Sequence, residues 1–283
     1  MPIQPAQPDA NAVNHTAAEP PRGLLHRDGL PERFALRRYH ASATLAEIVD
    51  TYWITRWNRL GMTPHLQEVL PHPNVQVVVQ EGRSGVFGIG TGRAEISLAG
   101  RGRAVGIKLQ PGAFPALVAQ PASQWTNTAT ALDIVFGAAG RAYERTVLAT
   151  DDDADLVAAA ETFLLALTPN LDDDARWARR LVEAIAADPT IVRVEDLAAR
   201  DGVSVRRLQR LFREYVGVPP KWVIQRYRLH EVVQQLESGG TVHLAELAVR
   251  LHYYDQAHLT REFTKLIGVP PARYAAAMQK EAP

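Results

Sequence analysis

The sequence predicts an α+β protein in which a β-rich N-terminal domain precedes a wholly helical C-terminal part. From Gly23 to about Tyr143, short apolar runs alternate with glycine-containing turns, a pattern typical of β-hairpins. After Thr150, acidic residues stand before segments with helical periodicity. The string GVPP closes two such segments, at 217–220 and again at 268–271. These observations divide the chain into a sheet region and a helical region.

The N-terminal end has the composition of a disordered tail. Residues 1–22 are polar and proline-rich, and they lack the apolar centre of a secretory signal. No run of eighteen apolar residues exists, so we expect no membrane partner. The chain has no cysteine, which excludes disulfides, thiolate nucleophiles and cysteine-based zinc sites. We therefore expect a cytoplasmic protein.

Residues 23–150 are predicted to form a barrel-like domain rich in strands. The β-branched run from Val75 to Val79 follows the breaker PHPN and indicates a strand. Glycine is dense in the following stretch, EGRSGVFGIGTGRAEISLAGRGRAVGIKL, which suggests further hairpins. The stretch is not a phosphate-binding loop, because no GxxxxGK[ST] pattern is present.

Polar and aromatic side chains of this domain are candidates for contacting a small ligand. Aromatic residues in strands more often form the core, so the ligand role is the less frequent one for each of them. His65, Glu68 and His72 could suggest a metal, but the HxH pair of metal-binding cupins is missing, and we predict neither metal nor cofactor. The candidate ligand-binding residues are Tyr52, Trp53, Trp57, His65, His72, Arg83 and Lys108.

Residues 151–188 are predicted to be a helical linker made of two helices. The acidic run at 151–153 precedes ADLVAAAETFLLALT, and the run at 172–174 precedes ARWARRLVEAIAA. Acidic residues are favoured at helix N-termini because their negative charge is attracted to the positive end of the helix dipole. Asp188-Pro189 ends the second helix.

Residues 189–283 contain an internal repeat. LAAR at 197–200 is echoed by LAVR at 247–250, an offset of 50, and the segments that follow match at an offset of 51. Each copy contains a short helix, a turn, a longer helix and the stop GVPP, which is the pattern of a helix-turn-helix unit. Two helices that merely pack together are the alternative, and two copies in register argue against it. We call 197–220 the first unit and 247–271 the second unit.

The longer helix of each unit has an apolar stripe at helical spacing, which predicts the face that is buried. Ser204 and Asp255 stand where the N-caps of these helices belong. The stripe comprises Leu208, Leu211, Phe212 and Tyr215 in the first unit, and Leu259, Phe263, Leu266 and Ile267 in the second.

The opposite faces carry side chains suited to DNA. Arginine pairs bidentately with guanine and glutamine with adenine, and residues 190–283 hold 14 Lys/Arg against 10 Asp/Glu, or +4. For any single arginine, the alternatives to a base contact are a contact with a phosphate or a charge that is merely solvated. We predict a first reading face of Ser204, Arg206, Gln209, Arg210 and Arg213, and a second reading face of Gln256, Ala257, Thr260, Arg261 and Lys265.

The segment between the units predicts a rigid spacer. The segment ends at Gly239-Gly240 and includes Lys221 to Ser238; about twenty helical residues would span about 30 Å. Successive major grooves on one face of DNA are about 34 Å apart. The repeat therefore predicts that one chain reads two adjacent major grooves.

Residues 190–275 resemble the DNA-binding domain of the AraC/XylS family of bacterial transcription regulators. The resemblance rests on LAARDGVSVRRLQRLFREYVGVPPKWVIQRYRL and LAVRLHYYDQAHLTREFTKLIGVPPARY. It implies base contacts by Arg206, Gln209 and Arg210 in the first unit and by a second set, Gln256, Ala257 and Arg261. It also implies that residues 23–150 are a sensor or dimerisation domain, and that double-stranded DNA, a small-molecule effector, RNA polymerase and a second copy of the chain are partners.

The sequence departs from the family in the second unit. His252-Tyr253 stand where the family usually has Gly-Phe in the turn, and histidine adopts positive φ less readily than glycine. Ala257 offers only an apolar contact, such as one with a thymine methyl group. Both changes bear on sequence reading by this unit more than on its fold.

Two other classes of function are open to such a chain. One is a barrel-fold enzyme fused to a DNA-binding domain, but no Ser-His-Asp signature or metal triad is evident, and no catalytic residue is assigned. The other is an adaptor whose helices bind protein partners, which the arginine-rich faces disfavour. We expect a non-enzymatic regulator.

Overall fold

The computed structural model describes residues 23–25, 34–238 and 242–281. The predicted disordered tail at 1–22 and the glycine pair at 239–240 lie outside these ranges. Among the helices in the described ranges, none has both the length and the hydropathy needed to cross a membrane.

Antiparallel strands make up the N-terminal domain, so the predicted β-rich architecture is confirmed. The main sheet has six strands in the order β1-β2-β7-β4-β5-β8, and β3 pairs with β6 in a second, two-stranded sheet. The strands are β1 Phe34–Tyr39, β2 Val49–Arg59, β3 His65–Val69, β4 Gln76–Gln80, β5 Gly85–Phe87, β6 Ala94–Leu98, β7 Gly100–Leu109 and β8 Ala129–Thr130.

The main sheet is open, which corrects the barrel-like closure that the sequence suggested. Within the described strands its outer members, β1 and β8, do not pair with each other. The strand β8 has two residues and leads directly into a helix, so it offers too few backbone groups to close a barrel.

Two positions of β7 have to be glycine because tryptophan rings of β2 lie directly against them. Trp57 lies opposite Gly102, and Trp53 opposite Gly106, in the register of β2 with β7. A Cβ atom at Gly102 would come within 2.2 Å of the Trp57 ring, and one at Gly106 within 2.0 Å of the Trp53 ring. The absence of a side chain at these glycines therefore lets both indoles lie against the strand.

In the described part of the chain, four α-helices follow or interrupt the strands. The predicted linker helices appear as α3 and α4, each with an aspartate N-cap, Asp152 and Asp172. A longer helix, α2, lies in the range where the sequence suggested strands. Glycine lowers helix propensity, and α2 contains Gly140 and a kink at Gly137, so the sequence of α2 carries only a weak helical pattern. The helices are α1 Pro115–Val118, α2 Leu132–Leu148, α3 Asp153–Ala166 and α4 Asp173–Ala187.

The C-terminal part is helical, as predicted. Its helices are α5 Val194–Arg200, α6 Val205–Leu211, α7 Pro220–Glu237, α8 Leu244–Arg250, α9 Gln256–Ile267 and α10 Pro271–Glu281. A π-helical turn, Phe212–Val216, continues α6.

Each GVPP string ends one helix and starts the next. Gly217 and Gly268 adopt positive φ, 94° and 89°, a conformation that ends a helix and that glycine adopts without strain. Pro220 and Pro271 are the first residues of α7 and α10. Proline fits there because the first residue of a helix has no intrahelical partner for its N–H.

The apolar core joins the two parts of the chain. One cluster of buried residues runs from the main sheet through α3 and α4 into the first unit and the start of α7. A second cluster holds the second unit and the end of α7, and it includes Leu25 and Leu70 of the N-terminal domain. The N-terminal domain therefore packs against both units.

Candidate nucleic-acid interface

The first unit consists of α5, a turn at Gly202 and α6 with its π-helical turn. Gly202 has a φ of 64°, which allows the chain to reverse between the helices. Ser204 is the N-cap of α6, and its Oγ accepts a hydrogen bond of 3.2 Å from the backbone N–H of Arg207. Leu208 and Leu211 are buried, so the predicted stripe faces the core. These contacts fix which face of α6 points outward.

The first reading face is open to solvent. All five of its residues, Ser204, Arg206, Gln209, Arg210 and Arg213, are exposed. In the part of the chain that the structure describes, its three arginines have no hydrogen-bond or ion-pair partner for their side chains. Three unpaired guanidinium groups on one face can each contact a phosphate or a base edge.

Arg207 differs from its neighbours on α6 because it faces the protein. Its Nη2 donates to both carboxylate oxygens of Asp174 on α4, at 2.7 and 2.8 Å. Its guanidinium carbon lies 5.3 Å from the centre of the Trp177 ring. Arg207 therefore joins the first unit to α4, a role that sequence periodicity alone did not identify.

The helix after α6 widens into a π-helical turn. The N–H of Gly217 donates to the carbonyl of Phe212 at 2.7 Å, which closes the wider turn. The carbonyl of Gly217 accepts a 2.7 Å bond from the hydroxyl of Thr126, next to the 3₁₀ turn Ala122–Trp125. The sequence predicted a continuous α-helix here; the structure places Arg213 within the widened turn.

The second unit repeats this arrangement with α8, a turn at His252 and α9. Asp255 is the N-cap of α9 and accepts a 2.6 Å bond from the backbone N–H of His258. The stripe is buried at Leu259, Phe263 and Ile267 and half-buried at Leu266. On the second reading face, Thr260 is half-buried. The other four residues are exposed: Gln256, Ala257, Arg261 and Lys265.

His252 adopts the left-handed conformation that the family's glycine would provide. Its φ is 56°, and it occupies the position equivalent to Gly202 of the first unit. Arg228 of α7 donates to the carbonyls of Leu251 and His252, each at 3.0 Å, and lies over the ring of Tyr253. Burial raises the pKa of the Tyr253 hydroxyl to about 12. The turn is thus held in place despite the histidine.

The helix α7 connects the units and is anchored to the N-terminal domain. It has 18 residues, which corresponds to about 27 Å. Arg226 is buried at 2% exposure and donates to the carbonyls of Pro71, at 3.0 Å, and Thr91, at 2.7 Å. Burial lowers the pKa of this guanidinium to about 10, so it is charged at neutral pH.

The candidate ligand residues of the N-terminal domain are engaged in packing and do not converge on one described cavity. Tyr52 and Trp57 are buried in the core, and Trp53 donates to Gln76 at 2.9 Å. Lys108 pairs with Asp50 at 2.8 Å. The remaining three candidates lie apart from one another. Arg83 lies over the ring of Phe87, and His72 stacks on His230. His65 lies on the second sheet, opposite Leu98.

A cleft of about 280 Å³ lies elsewhere, between the N-terminal domain and α4. None of the seven candidate ligand residues lines it. It is lined by arginines of α4, the second of the two predicted linker helices, for which the sequence predicts no ligand site. Basic residues at i, i+3 and i+4 of that helix were the available signal: Arg176, Arg179 and Arg180.

Two sequence families match different parts of the chain. Residues 197–277 match a family described as a helix-turn-helix domain. Residues 37–131 match a family described as a domain of unknown function, DUF6597. The first match covers both units, and the second covers most of the strands.

Bacterial regulators are similar to the C-terminal part. A protein of Escherichia coli (strain K12) described as an HTH-type transcriptional regulator, YkgA, is 34% identical over 85 residues, or 29% of this chain and 34% of the relative. The HTH-type transcriptional activator AarP of Providencia stuartii is 27% identical over 81 residues, or 29% of this chain and 59% of the relative. The chain thus spans about a third of the length of YkgA and about three fifths of the length of AarP.

Solved structures give weaker likenesses. A transcriptional regulator with an AraC-type DNA-binding domain from Chromobacterium violaceum matches with a TM-score of 0.33 and 21% identity, covering 36% of this chain and 91% of that one. ToxT of Vibrio cholerae matches with a TM-score of 0.38 and 13% identity, covering 87% of this chain and 98% of that one.

Proposed function

We propose that the protein is a sequence-specific DNA-binding transcription regulator, in which residues 197–277, matched by a helix-turn-helix family, form a DNA-binding domain of the AraC type. The observation that carries the proposal is the pair of reading faces. Each lies on a helix whose opposite side is buried, and each presents arginine and glutamine to solvent. Such a surface can enter a major groove without disturbing the core.

The first unit has the stronger capacity to read bases. Arg206 and Arg210 are exposed and unpaired within the described chain, so either can form the bidentate pair with guanine. Gln209 lies beside them and can pair with adenine. Arg213, in the π-helical turn, is suited to a phosphate contact.

The second unit offers fewer polar contacts to bases. Gln256 and Arg261 can form the pairs with adenine and guanine, and Ala257 can contact a thymine methyl group. Lys265, in the last turn of α9, is suited to a phosphate. The second unit therefore adds affinity and a smaller share of the specificity.

The spacing of the units supports reading of two adjacent grooves by one chain. The helix α7 cannot stretch, and its length of about 27 Å approaches the separation of about 34 Å between grooves. Buried residues along α7, such as Val223 and Val233, pack against both cores and hold its ends in place.

The N-terminal domain is the proposed site of control. It contacts both units, so a small-molecule effector bound to it can alter their positions. A second copy of the chain and RNA polymerase are further proposed partners, by analogy with bacterial regulators. We further propose that the protein acts on a bacterial chromosome, in the cytoplasm.

Selection of bound duplexes from a random pool tests the proposal. We expect enrichment of a motif with two conserved segments and a steep loss of affinity with salt. The Arg206→Ala/Arg210→Ala variant should lose the motif. The matched Arg141→Ala variant, changed at an exposed arginine of α2, should keep it. A pool without enrichment, or equal enrichment with both variants, would contradict sequence-specific reading.

A further inference from the structure

The cleft beside α4 has two different walls. The N-terminal domain contributes Glu47, Pro111 and Ala113 to one wall. One side of α4 forms the opposite wall. The loop approaches α4 closely at Gly112, where φ is 88° and a Cβ atom would lie 2.7 Å from the carbonyl oxygen of Ala175. A hydrogen bond of 2.8 Å from the N–H of Gln110 to the carbonyl of Ile48 joins the two segments of this wall. The cleft is therefore built from tightly connected backbone.

Among the described residues, the charges in the cleft leave the guanidinium of one arginine without a partner. Arg176 pairs with Glu47 at 3.3 Å and with Asp173 at 3.6 Å, and Arg179 pairs with Glu183 at 2.6 Å. Arg180 is exposed, and within the described ranges its guanidinium has no hydrogen-bond or ion-pair partner. Three arginines thus face two lining glutamates, Glu47 and Glu183.

Apolar side chains complete the lining. Pro111, Ala113, Leu171 and Ala175 lie between the charged groups, and all four are buried. A ligand here would place an apolar body against these residues and an anionic group towards the arginines. The volume of about 280 Å³ suits a molecule smaller than those that most ligand pockets accept.

We propose that this cleft binds a small organic anion, one that carries a carboxylate or a phosphate on a compact apolar body. Arg180 is the primary contact because its five N–H donors have no other partner in the described chain. Arg176 is the second and weaker contact. It already pairs with Glu47 and Asp173, so an incoming anion has to compete with these carboxylates for its guanidinium. The inference rests on the proposed function, since it specifies where a controlling small molecule binds.

The same helix reaches the first unit. Asp174 of α4 accepts from Arg207, and Asp172, its N-cap, accepts a 2.6 Å bond from the hydroxyl of Tyr215. The indole N–H of Trp177 donates to Asp201 in the turn before α6, also at 2.6 Å. A ligand that changes the ion pairs of Arg176 therefore acts on the helix that holds α6, and DNA affinity should depend on its occupancy.

Calorimetric titration of the full chain with benzoate, and separately with inorganic phosphate, tests the site. Benzoate combines a carboxylate with an apolar body, whereas phosphate has the charge alone. We expect the wild type to bind benzoate more tightly than phosphate, and Arg180→Gln to bind benzoate about tenfold more weakly, because a charge-assisted hydrogen bond is lost. Arg141→Gln, the same change on α2, should bind as the wild type does. Arg180 is exposed, so both variants should unfold at the wild-type temperature.

Absence of benzoate binding, including an outcome in which phosphate alone binds, would overturn the proposal. So would unchanged binding by Arg180→Gln, or an equal loss in Arg141→Gln. DNA affinity is measured separately, with and without the probe, and Arg180→Gln controls for the general effect of added salt. Failure to bind DNA would overturn the proposed function while leaving probe binding intact, so the two failures are distinguishable.

Discussion

At the residue scale, neighbouring arginines of α6 have different environments. Arg206 and Arg210 are exposed and unpaired in the described part of the chain, whereas Arg207 is held by both oxygens of Asp174. The chemical type is the same, and the helical phase decides which guanidinium is available to DNA. Substitutions at these positions should therefore have separable effects.

Replacing Arg210 with alanine should reduce affinity for the specific DNA site by about 1–3 kcal/mol. The reason is the loss of one bidentate contact to guanine. Affinities for the selected site and for a scrambled duplex should be compared at one salt concentration. Arg200→Ala, at an exposed arginine of α5 outside the reading face, is the control. Equal losses on both duplexes would make Arg210 a phosphate contact.

Leu208→Ala should lower the free energy of unfolding by about 2–5 kcal/mol, because it leaves a cavity in the core. Leu208 is fully buried in the cluster that the first unit shares with the N-terminal domain. Denaturant unfolding of the full chain measures the change. The neighbouring exposed residue gives the control: Gln209→Ala should change stability by less than about 0.5 kcal/mol. Similar unfolding of both variants would show that the stripe is wrongly placed.

Glycine at position 252 should stabilise the second unit relative to alanine. His252 has positive φ, and a residue with a Cβ atom is strained there by about 1–2 kcal/mol. His252→Gly and His252→Ala both remove the exposed imidazole, so their difference isolates the backbone. We expect the glycine variant to be more stable by about 1 kcal/mol. Equal stability in denaturant unfolding would mean that the turn relaxes without strain.

At the element scale, α7 sets both the distance and the rotation between the two units. Its N-terminal half packs with the first unit and its C-terminal half with the second, as the two buried clusters show. A helix transmits rotation because each residue advances the chain by about 100° and 1.5 Å. A change in its length therefore alters the direction in which α9 faces.

Inserting two residues after Glu231 should remove the second protected segment from DNA. The insertion turns the second unit by about 200° and shifts it by about 3 Å. Footprinting should show two segments about 10 bp apart for the wild type and one for the variant. Substitution of Glu231 by alanine without insertion is the control. One segment in the wild type, or two in the insertion variant, would contradict rigid two-groove reading.

At the scale of the whole molecule, the N-terminal domain holds the C-terminal part through α7 and the second unit. Arg226 donates to the two N-terminal carbonyls of Pro71 and Thr91, and Arg93 donates to the carbonyl of Ile267 at 2.5 Å, at the end of α9. The last contact links the N-terminal domain to the C-terminus of a reading helix. The protein is thus organised as one connected body rather than as two tethered domains.

Arg226→Ala should weaken the connection between the two parts of the chain. It leaves two carbonyls without this donor, at about 1–3 kcal/mol for each buried group. We expect calorimetry to resolve separate unfolding of the N-terminal and C-terminal parts. Arg228→Ala is the control, because that arginine donates within the C-terminal part, to Leu251 and His252. A single transition for Arg226→Ala at the wild-type temperature would contradict this role.

The pH dependence of the Arg226 contribution follows from its lowered pKa. Burial brings the folded-state pKa to about 10, below the unfolded value. The unfolded chain therefore binds more protons above that pH, and the contribution of this group to stability rises as the pH increases through about 10. Below it, including neutral pH, the contribution is constant.

Local patterns in the sequence determined much of this protein. The GVPP repeats, the apolar stripes and the N-caps Ser204 and Asp255 predicted two helix-turn-helix units and their outward faces, because helix ends and helical periodicity depend on neighbouring residues. The acidic runs likewise predicted α3 and α4. These features need no distant contact to be recognised.

Tertiary structure alone decided the features that depend on contacts between distant segments. The open sheet follows from the short strand β8, and α2 forms against β4 and β5 despite its glycines. The availability of Arg206 but not Arg207 depends on Asp174, 33 residues away. The arginine cleft exists because the loop at Gly112 meets α4. Sequence periodicity carries the direction of a side chain relative to its own helix, but only the fold determines what stands opposite it.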